Sequence, residues 1–210
     1  DPYLSRGLGD VYKRQDGMDA TTSFPGREGH SGDPVRLGIV TVSDRASRGD
    51  YPDEGGPAIL AFFQAAIKSP WTALYRCVPD ERDAVEAAII ELVDEEGCSV
   101  VVTTGGTGPA PRDITPEATE AVCDRMMPGF GEQMRAISLK YVPTAILSRQ
   151  VGGLRGNGLV FNLPGRPKSI RETIDELWKA VPYCIDLMNG PYMDMDTAVC
   201  DAFRPPAARR

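Results

Sequence analysis

Two acidic residues could do chemistry: Asp80, two residues past the apolar run Trp71 to Val78, and Asp113, nine residues past Thr104, with Thr104-Gly105-Gly106-Thr107-Gly108-Pro109 between them. Glycines just past a buried strand let backbone N–H groups approach phosphate oxygens that bulkier side chains would hold off. Two carboxylates at neighbouring strand ends, facing such a cradle, could hold Mg²⁺ on a triphosphate. The loop is not a Walker sequence, because no Gly-Lys-Ser/Thr follows, and it lacks the third glycine of the dinucleotide fingerprint. Each part also has a plainer reading. The glycines could form a tight turn, Asp80 in Pro79-Asp80-Glu81-Arg82-Asp83 could cap a helix, and Asp113 could pair with Arg112. Asn162-Leu163-Pro164-Gly165-Arg166-Pro167-Lys168-Ser169 brings two cations to a helix start, either an anion site or ordinary surface charge. Ser43-Asp44 offers a hydroxyl and a carboxylate, or an Asx-type turn. Gly131 to Arg135 reads as a mixed helical face.

A site built from these loops requires strands that end side by side. Leu37 to Ser43 is a short β-branched apolar run opening onto Asp44-Arg45-Ala46-Ser47, the pattern of a buried strand and its loop. Pro57 to Ile67 is helical in composition, and Trp71 to Val78 alternates like a strand. From Asp80 to Glu96, apolar Val85, Ala88, Ile89, Leu92 and Val93 recur at helical spacing, with Gly97 as the stop. Ser99 to Thr103 predicts a strand buried on both faces. A helix follows near Thr115, with Thr115 as N-cap and Pro116 at the first helical position. Gly129 to Tyr141 is a further helix, Gly158 to Leu163 a further strand, and Lys168 to Leu187 the closing helix. Strand and helix alternate throughout, so the expected fold class is α/β: one three-layer α/β/α domain with a mostly parallel sheet, over residues 35–207. Ligands then belong at the carboxyl ends of the strands, in the loops after Val42, Val78, Thr103 and Leu163. Residues 1–34 show no sustained period and read as a disordered tail. The internal Met18 points to a natural start further in, so the first seventeen residues are set aside from the fold.

Composition narrows the chemistry. With 23 Lys plus Arg against 30 Asp plus Glu, the 210-residue chain carries a net charge of −7. A nucleic-acid backbone or an anionic membrane would meet repulsion, so neither is an expected partner. No apolar run approaches the ~20 residues that span a bilayer, and a cytoplasmic location is expected. The five cysteines are an odd number without a C-x-x-C, and the single histidine is His30. A disulfide framework and a zinc cage are both excluded, and Cys77, Cys98 and Cys184 lie in apolar surroundings that suit core filling. Without a histidine in the patterned region, catalysis must run on carboxylates, backbone amides, hydroxyls, Lys and Arg.

Several stretches together resemble the molybdopterin adenylyltransferases: VSDRAS at 42–47, PDE at 79–81, TTGGTGPAPRDITPEAT at 103–119, MPGFGEQMR at 127–135, PTAILSRQVGGLRG at 143–156 and NLPGRPKSI at 162–170. The resemblance spans about Val35 to Ala207, and MPGFGEQMR with AILSRQVG brings it nearest to the bacterial stand-alone enzymes. It implies a molybdopterin-binding-domain-like fold. It also implies transfer of AMP from Mg-ATP to the terminal phosphate of molybdopterin, with release of pyrophosphate, before a second protein inserts molybdate.

Carried over by position, the resemblance makes Asp80 and Asp113 the catalytic aspartates that place Mg²⁺. Thr104, Gly105, Gly106, Thr107 and Gly108 become the nucleotide loop, with Ser138 and Asp44 beside it. Ser148, Arg149, Pro164 and Gly165 fall to the pterin and its phosphate. A homotrimer is implied as well. One departure precedes Val181-Pro182-Tyr183, where the bacterial enzymes carry a longer insertion with a β-hairpin and this chain does not. Two other readings keep the pocket: a non-catalytic pterin carrier or scaffold, and a nucleotide pyrophosphatase. Intact Asp80 and Asp113 disfavour the carrier, since a pure binder of polyanions gains nothing from two acids unless a metal bridges them.

Overall fold

The computed structural model describes residues 34–208, so the predicted tail, apart from Pro34, and His30 lie outside the described residues. Strands β1 (Val35–Val42), β2 (Trp71–Val78), β3 (Val100–Thr104), β4 (Arg125–Met126), β5 (Gly152–Arg155) and β6 (Gly158–Leu163) form one sheet in the order β2-β1-β3-β6-β5-β4. The pairs β1·β2, β1·β3 and β3·β6 are parallel, while β5 runs antiparallel to both β6 and β4. β3 is buried along its whole length, as its β-branched run predicts.

Helices α1 (Asp44–Ser47), α2 (Gly55–Ala66), α3 (Arg82–Ile90), α4 (Thr115–Val122), α5 (Pro128–Leu139), α6 (Pro167–Leu177) and α7 (Val181–Leu187) connect the strands. One apolar cluster packs Phe62 and Phe63 of α2, Met134 and Ile137 of α5 and Ile170 and Ile174 of α6 on one face of the sheet. A second packs Val85 and Ile89 of α3 and Ala118 of α4 on the other. The expected three layers are therefore present. Trp178 is completely buried, with its ring 5.4 Å from Phe62, 5.1 Å from Phe63 and 6.1 Å from Phe161.

Four local expectations are corrected. The helix predicted to begin at Asp80 begins at Arg82 with Glu81 before it, and ends in one wider π-helical turn, Glu91–Glu95. The Thr115 hydroxyl does not cap α4; it donates to the Gly105 carbonyl at 2.9 Å. The closing helix is not continuous, because Trp178–Ala180 tightens into a 3₁₀ turn ahead of Pro182, whose missing N–H suits a new first turn. The pairing of β5 with β6 through Gly156-Asn157, Gly156 having φ of 49°, was not anticipated, nor was β4.

The strand order reverses at β1, whose neighbours β2 and β3 leave in opposite directions, so a crevice opens at the carboxyl ends of β1 and β3. Thr41 of β1 lies in register with Thr104 of β3, and Thr104 with Leu163 of β6. The loops after these strands start from one line.

Candidate active site

The glycine loop leaves β3 in backbone conformations that suit glycine, with φ of 97° at Gly105 and 62° at Gly106. It is held on three sides. The Thr104 hydroxyl donates to the Pro164 carbonyl at 2.8 Å, and a β-carbon built on Gly165 would sit 3.5 Å from the Gly105 Cα. The Arg149 N–H donates to the Thr107 carbonyl at 2.9 Å and its Nε to the Gly108 carbonyl at 2.8 Å. The same guanidinium donates to the Asp113 carbonyl and pairs with Glu117, whose carboxyl it holds below the usual range. Arg149 thereby ties the segment after α5 to the glycine loop.

Asp80 and Asp113 both reach this loop. A β-carbon on Gly106 would lie 3.5 Å from Asp80 Oδ1, and one on Gly108 2.8 Å from Asp113 Oδ2. Asp80 does not cap α3. Its Oδ2 accepts the Asp44 N–H at 2.8 Å, and its own N–H donates to Asp44 Oδ1 at 3.0 Å, a reciprocal clasp between the ends of β1 and β2. Asp113 Oδ2 accepts the Ala110 N–H at 2.9 Å. Arg112 does not pair with Asp113 as the local reading allowed. Its Nη2 reaches the Asp44 carboxylate at 2.8 Å, Glu81 at 3.0 Å and the Asp80 carbonyl at 3.2 Å. Burial first, then the nearby Asp44 and Asp113 carboxylates, raise the Asp80 pKa against the Asp44 N–H and Arg112, which lower it.

Asp80 Oδ1 and Asp113 Oδ1 accept no hydrogen bond from any described residue. Among the described residues no group of three or more His, Cys, Asp or Glu is arranged to hold a metal ion by itself. Two hard oxygen donors without a full cage fit Mg²⁺, which keeps several waters and completes its shell with substrate phosphates. They do not fit zinc.

Of the remaining predicted residues, Pro164, Gly165 and Arg149 adjoin the glycine loop, Ser148 precedes Arg149, and no hydrogen bond among the described residues joins Ser138 to the loop. Pro164 and Gly165 precede α6, whose first turn has no side-chain cap hydrogen bond. Ser148 and Arg149 follow a 3₁₀ turn, Pro143–Leu147. Ser138 is half-buried in the last turn of α5, one helical turn beyond Arg135, which donates to the Gln150 carbonyl at 3.0 Å. A shallow depression of about 360 Å³ is lined by Pro109, Asp113, Ile114, Glu117 and Arg149. A larger apolar groove of about 490 Å³, between Phe130, Leu177, Tyr183 and Phe203, lies at the far end of α6, ~16 Å along its axis.

Two polar clusters were not anticipated. Asp53, 6% exposed, accepts from the Thr41 hydroxyl (2.9 Å), the Tyr75 hydroxyl (2.8 Å), Gly55 N–H (2.9 Å) and Gly56 N–H (3.0 Å). It secures the start of α2 beneath Thr104, and burial with Asp53 beside it pushes the Tyr75 hydroxyl far up. An acidic residue just ahead of Gly55-Gly56-Pro57 was the available signal. The second cluster joins Gln150, Asn162, Thr103 and Thr119. All five cysteines are free thiols. Cys98 and Cys184 pack against the core clusters, and burial raises Cys98 to about 12 and Cys77 to about 11.

A mostly parallel α/β sheet with an acidic, glycine-lined crevice at its switch point places the chain in the doubly wound α/β class. The chain belongs to the family described as "probable molybdopterin binding domain", whose model matches residues 38–183. It is 51% identical over 188 residues to the molybdopterin adenylyltransferase of Haemophilus influenzae, covering 84% of this chain and 95% of that protein. It is 54% identical over 171 residues to the enzyme of the same name from Helicobacter pylori, covering 81% and 97%. Among solved structures, the molybdopterin biosynthesis enzyme MoaB from Thermus thermophilus superposes with a TM-score of 0.67 at 41% identity, over 73% of this chain and 96% of that one. Among the described residues no helix is long and apolar enough to cross a membrane.

Proposed function

We propose that this protein is a molybdopterin adenylyltransferase, transferring AMP from ATP to the terminal phosphate of molybdopterin. An oxygen of the pterin phosphate attacks the α-phosphorus of ATP, the bond from that phosphorus to the β-bridging oxygen breaks, and pyrophosphate leaves. The observation that carries the reading is the pair of carboxylates, Asp80 and Asp113, set against one glycine loop with an unengaged oxygen each. Both substrates are polyanions, so the site must neutralise repulsion where they meet. A phosphate nucleophile is already ionised, and no general base is needed.

The loop Thr104 to Gly108 and the open first turn of α6 offer backbone N–H groups to phosphate oxygens. Asp80 and Asp113 would hold Mg²⁺, which when bound supplies charge stabilisation of the phosphates. Asp44 keeps Asp80 in place, and Ser138 lines the nucleotide side. Ser148, Arg149, Pro164 and Gly165 form the pterin side, Arg149 chiefly by holding the loop. A cytoplasmic homotrimer passing its product to a molybdate-insertion protein completes the reading. Leu139, Tyr141, Val142, Ile146 and Leu147 support self-association, since all five are exposed and apolar on one continuous segment.

Pyrophosphate release by the purified protein with Mg-ATP, with and without molybdopterin, tests the assignment. Release that requires the pterin is expected; release from ATP alone would indicate a pyrophosphatase, and pterin binding without release a carrier. A second outcome follows from Arg112. An Arg112→Ala protein loses a cation that lowers the Asp80 pKa, so a reaction needing ionised Asp80 should lose activity at a higher pH than in the wild type as the solution is acidified. The pH profile of pyrophosphate release reads this directly; an acidic limb that stays in place or moves down contradicts it.

A further inference from the structure

Asp53 makes more bonds than the start of a helix requires. Its Oδ1 accepts the Gly55 N–H, while its Oδ2 accepts the Gly56 N–H and the hydroxyls of Thr41 and Tyr75. A capping carboxylate satisfies one or two backbone N–H groups of its own helix. The two hydroxyls come instead from β1 and β2, so the first turn of α2 is tied to the sheet one residue short of the end of β1.

The helix start held in this way bears on the glycine loop. Gly55 stands where no side chain would fit, since a β-carbon there would lie 2.9 Å from Thr104 Cγ2 and 3.1 Å from Thr104 Oγ1. Thr104 is 1% exposed and immediately precedes Gly105. Its methyl faces Gly55 and its hydroxyl donates to the Pro164 carbonyl, so both branches of the side chain are engaged. A β-branched side chain has few χ1 states, and displacing either branch is felt by the backbone that carries it.

We infer that Asp53 is a positioning residue for the glycine loop, fixing the Thr104 side chain through Gly55 and with it the conformation in which the loop N–H groups meet ATP. The inference rests on the proposed adenylyl transfer and deepens it, adding a residue that touches neither substrate. An asparagine at position 53 exposes the route. Its single oxygen must stay at the Oδ2 position, where three donors converge, so its amide nitrogen faces the Gly55 N–H. Two donors then oppose one another, and Gly55 shifts against Thr104.

Asp53→Asn and Gly55→Ala attack the same contact from its two ends. The second keeps the Gly55 N–H, and its β-carbon would lie an ordinary 3.5 Å from Asp53 Oδ1 while driving into Thr104. Assayed well below their melting temperatures, both variants are expected to raise the KM for ATP in pterin-dependent pyrophosphate release by about tenfold, with kcat within about threefold because Asp80 and Asp113 are untouched. A helix cap without a positioning role would lower the Tm and leave KM in place. A folded variant of either kind with an unchanged KM therefore overturns the inference, and if Asp53→Asn does not fold, Gly55→Ala decides alone. Thr104→Ser checks the route, because it removes the methyl and keeps the hydroxyl. In that background Asp53→Asn should raise KM by less than about threefold, and a full, independent effect overturns transmission through Thr104. The wild type separates the two failures. If it releases pyrophosphate with molybdopterin and the variants match its KM, the inference alone falls; if it releases none, the proposed function falls and takes the inference with it.

Discussion

An Asp80→Asn protein is expected to keep its fold and to release pyrophosphate about a hundredfold more slowly, a barrier increase of ~3 kcal/mol. The substitution separates structure from charge. The asparagine carbonyl can still accept the Asp44 N–H that Asp80 accepts at 2.8 Å, so the clasp between the ends of β1 and β2 survives. The oxygen that faces Gly106 is replaced by an amide nitrogen, which cannot ligate Mg²⁺ and carries no charge. Stability should move the other way. Folding raises the Asp80 pKa, chiefly by burial, so the folded state holds that proton more tightly than the unfolded chain and the ionised form opposes folding. That penalty is absent below the unfolded pKa of ~3.9, grows as pH rises toward the folded value, and is fully present above it. At pH 7 the neutral asparagine removes it, and the Tm should equal or exceed that of the wild type, with the difference vanishing in acid. Thermal scans at pH 7 and at low pH, beside pyrophosphate assays, check both halves. A rate within tenfold of the wild type would remove Asp80 from the chemistry, and a Tm well below the wild type would make its role structural.

The layers and the site loops were legible in the sequence because each depends on short-range pattern. Val100 to Thr104 is β-branched at every position, the texture of a strand buried on both faces. The helical spacing of Val85, Ile89 and Leu92 similarly places α3 on the sheet. What the residues alone could not supply was the wiring between loops. Local sequence allows Arg112 to pair with its neighbour Asp113, but its partners are Asp44, 68 positions away, and Glu81. Asp80 resembles a helix cap because Pro79-Asp80-Glu81 has the right local chemistry, and the competing Asp44 N–H comes from a remote strand end. β4 is two residues long and β5 is half glycine, so neither offers the β-branched texture that marks a strand. The Gly156-Asn157 turn was the usable clue to β5.

The acidic balance of the chain and its proposed polyanionic substrates are reconciled by the same local wiring. A net charge of −7 sets the long-range field, yet salt screens that field within ~10 Å at ordinary ionic strength. In the proposed reaction the relevant partners are the backbone N–H groups of the glycine loop, which would contribute attraction without formal charge. Arg112 and Arg149 are engaged by carboxylates and carbonyls, so they shape the loops rather than present free cations. On the proposed function, affinity for phosphates depends on backbone conformation at the glycines.

Gly105→Ala is accordingly expected to cost about 3 kcal/mol or more of stability and to abolish ATP binding. The backbone at Gly105 has φ of 97°, beyond the range an alanine adopts without strain, and a β-carbon there would lie 2.3 Å from the Val42 carbonyl oxygen. That carbonyl belongs to the last residue of β1, which is paired in register with Val78, so retreat would open the parallel ladder. The alternative is rotation of the loop peptides, which turns their N–H groups away from the phosphates. Gly165→Ala supplies the control from the opposite wall of the crevice. Its β-carbon would meet the Gly105 Cα at 3.5 Å, an ordinary contact, and its stability should change by less than about 1 kcal/mol. In a domain of this size the two variants should differ by ~5 °C or more in Tm. ATP titration by calorimetry should detect binding to the Gly165→Ala protein and none to the other. An alanine at position 105 that melts with the wild type and binds ATP normally would show that the strained glycine turn does not create the phosphate cradle.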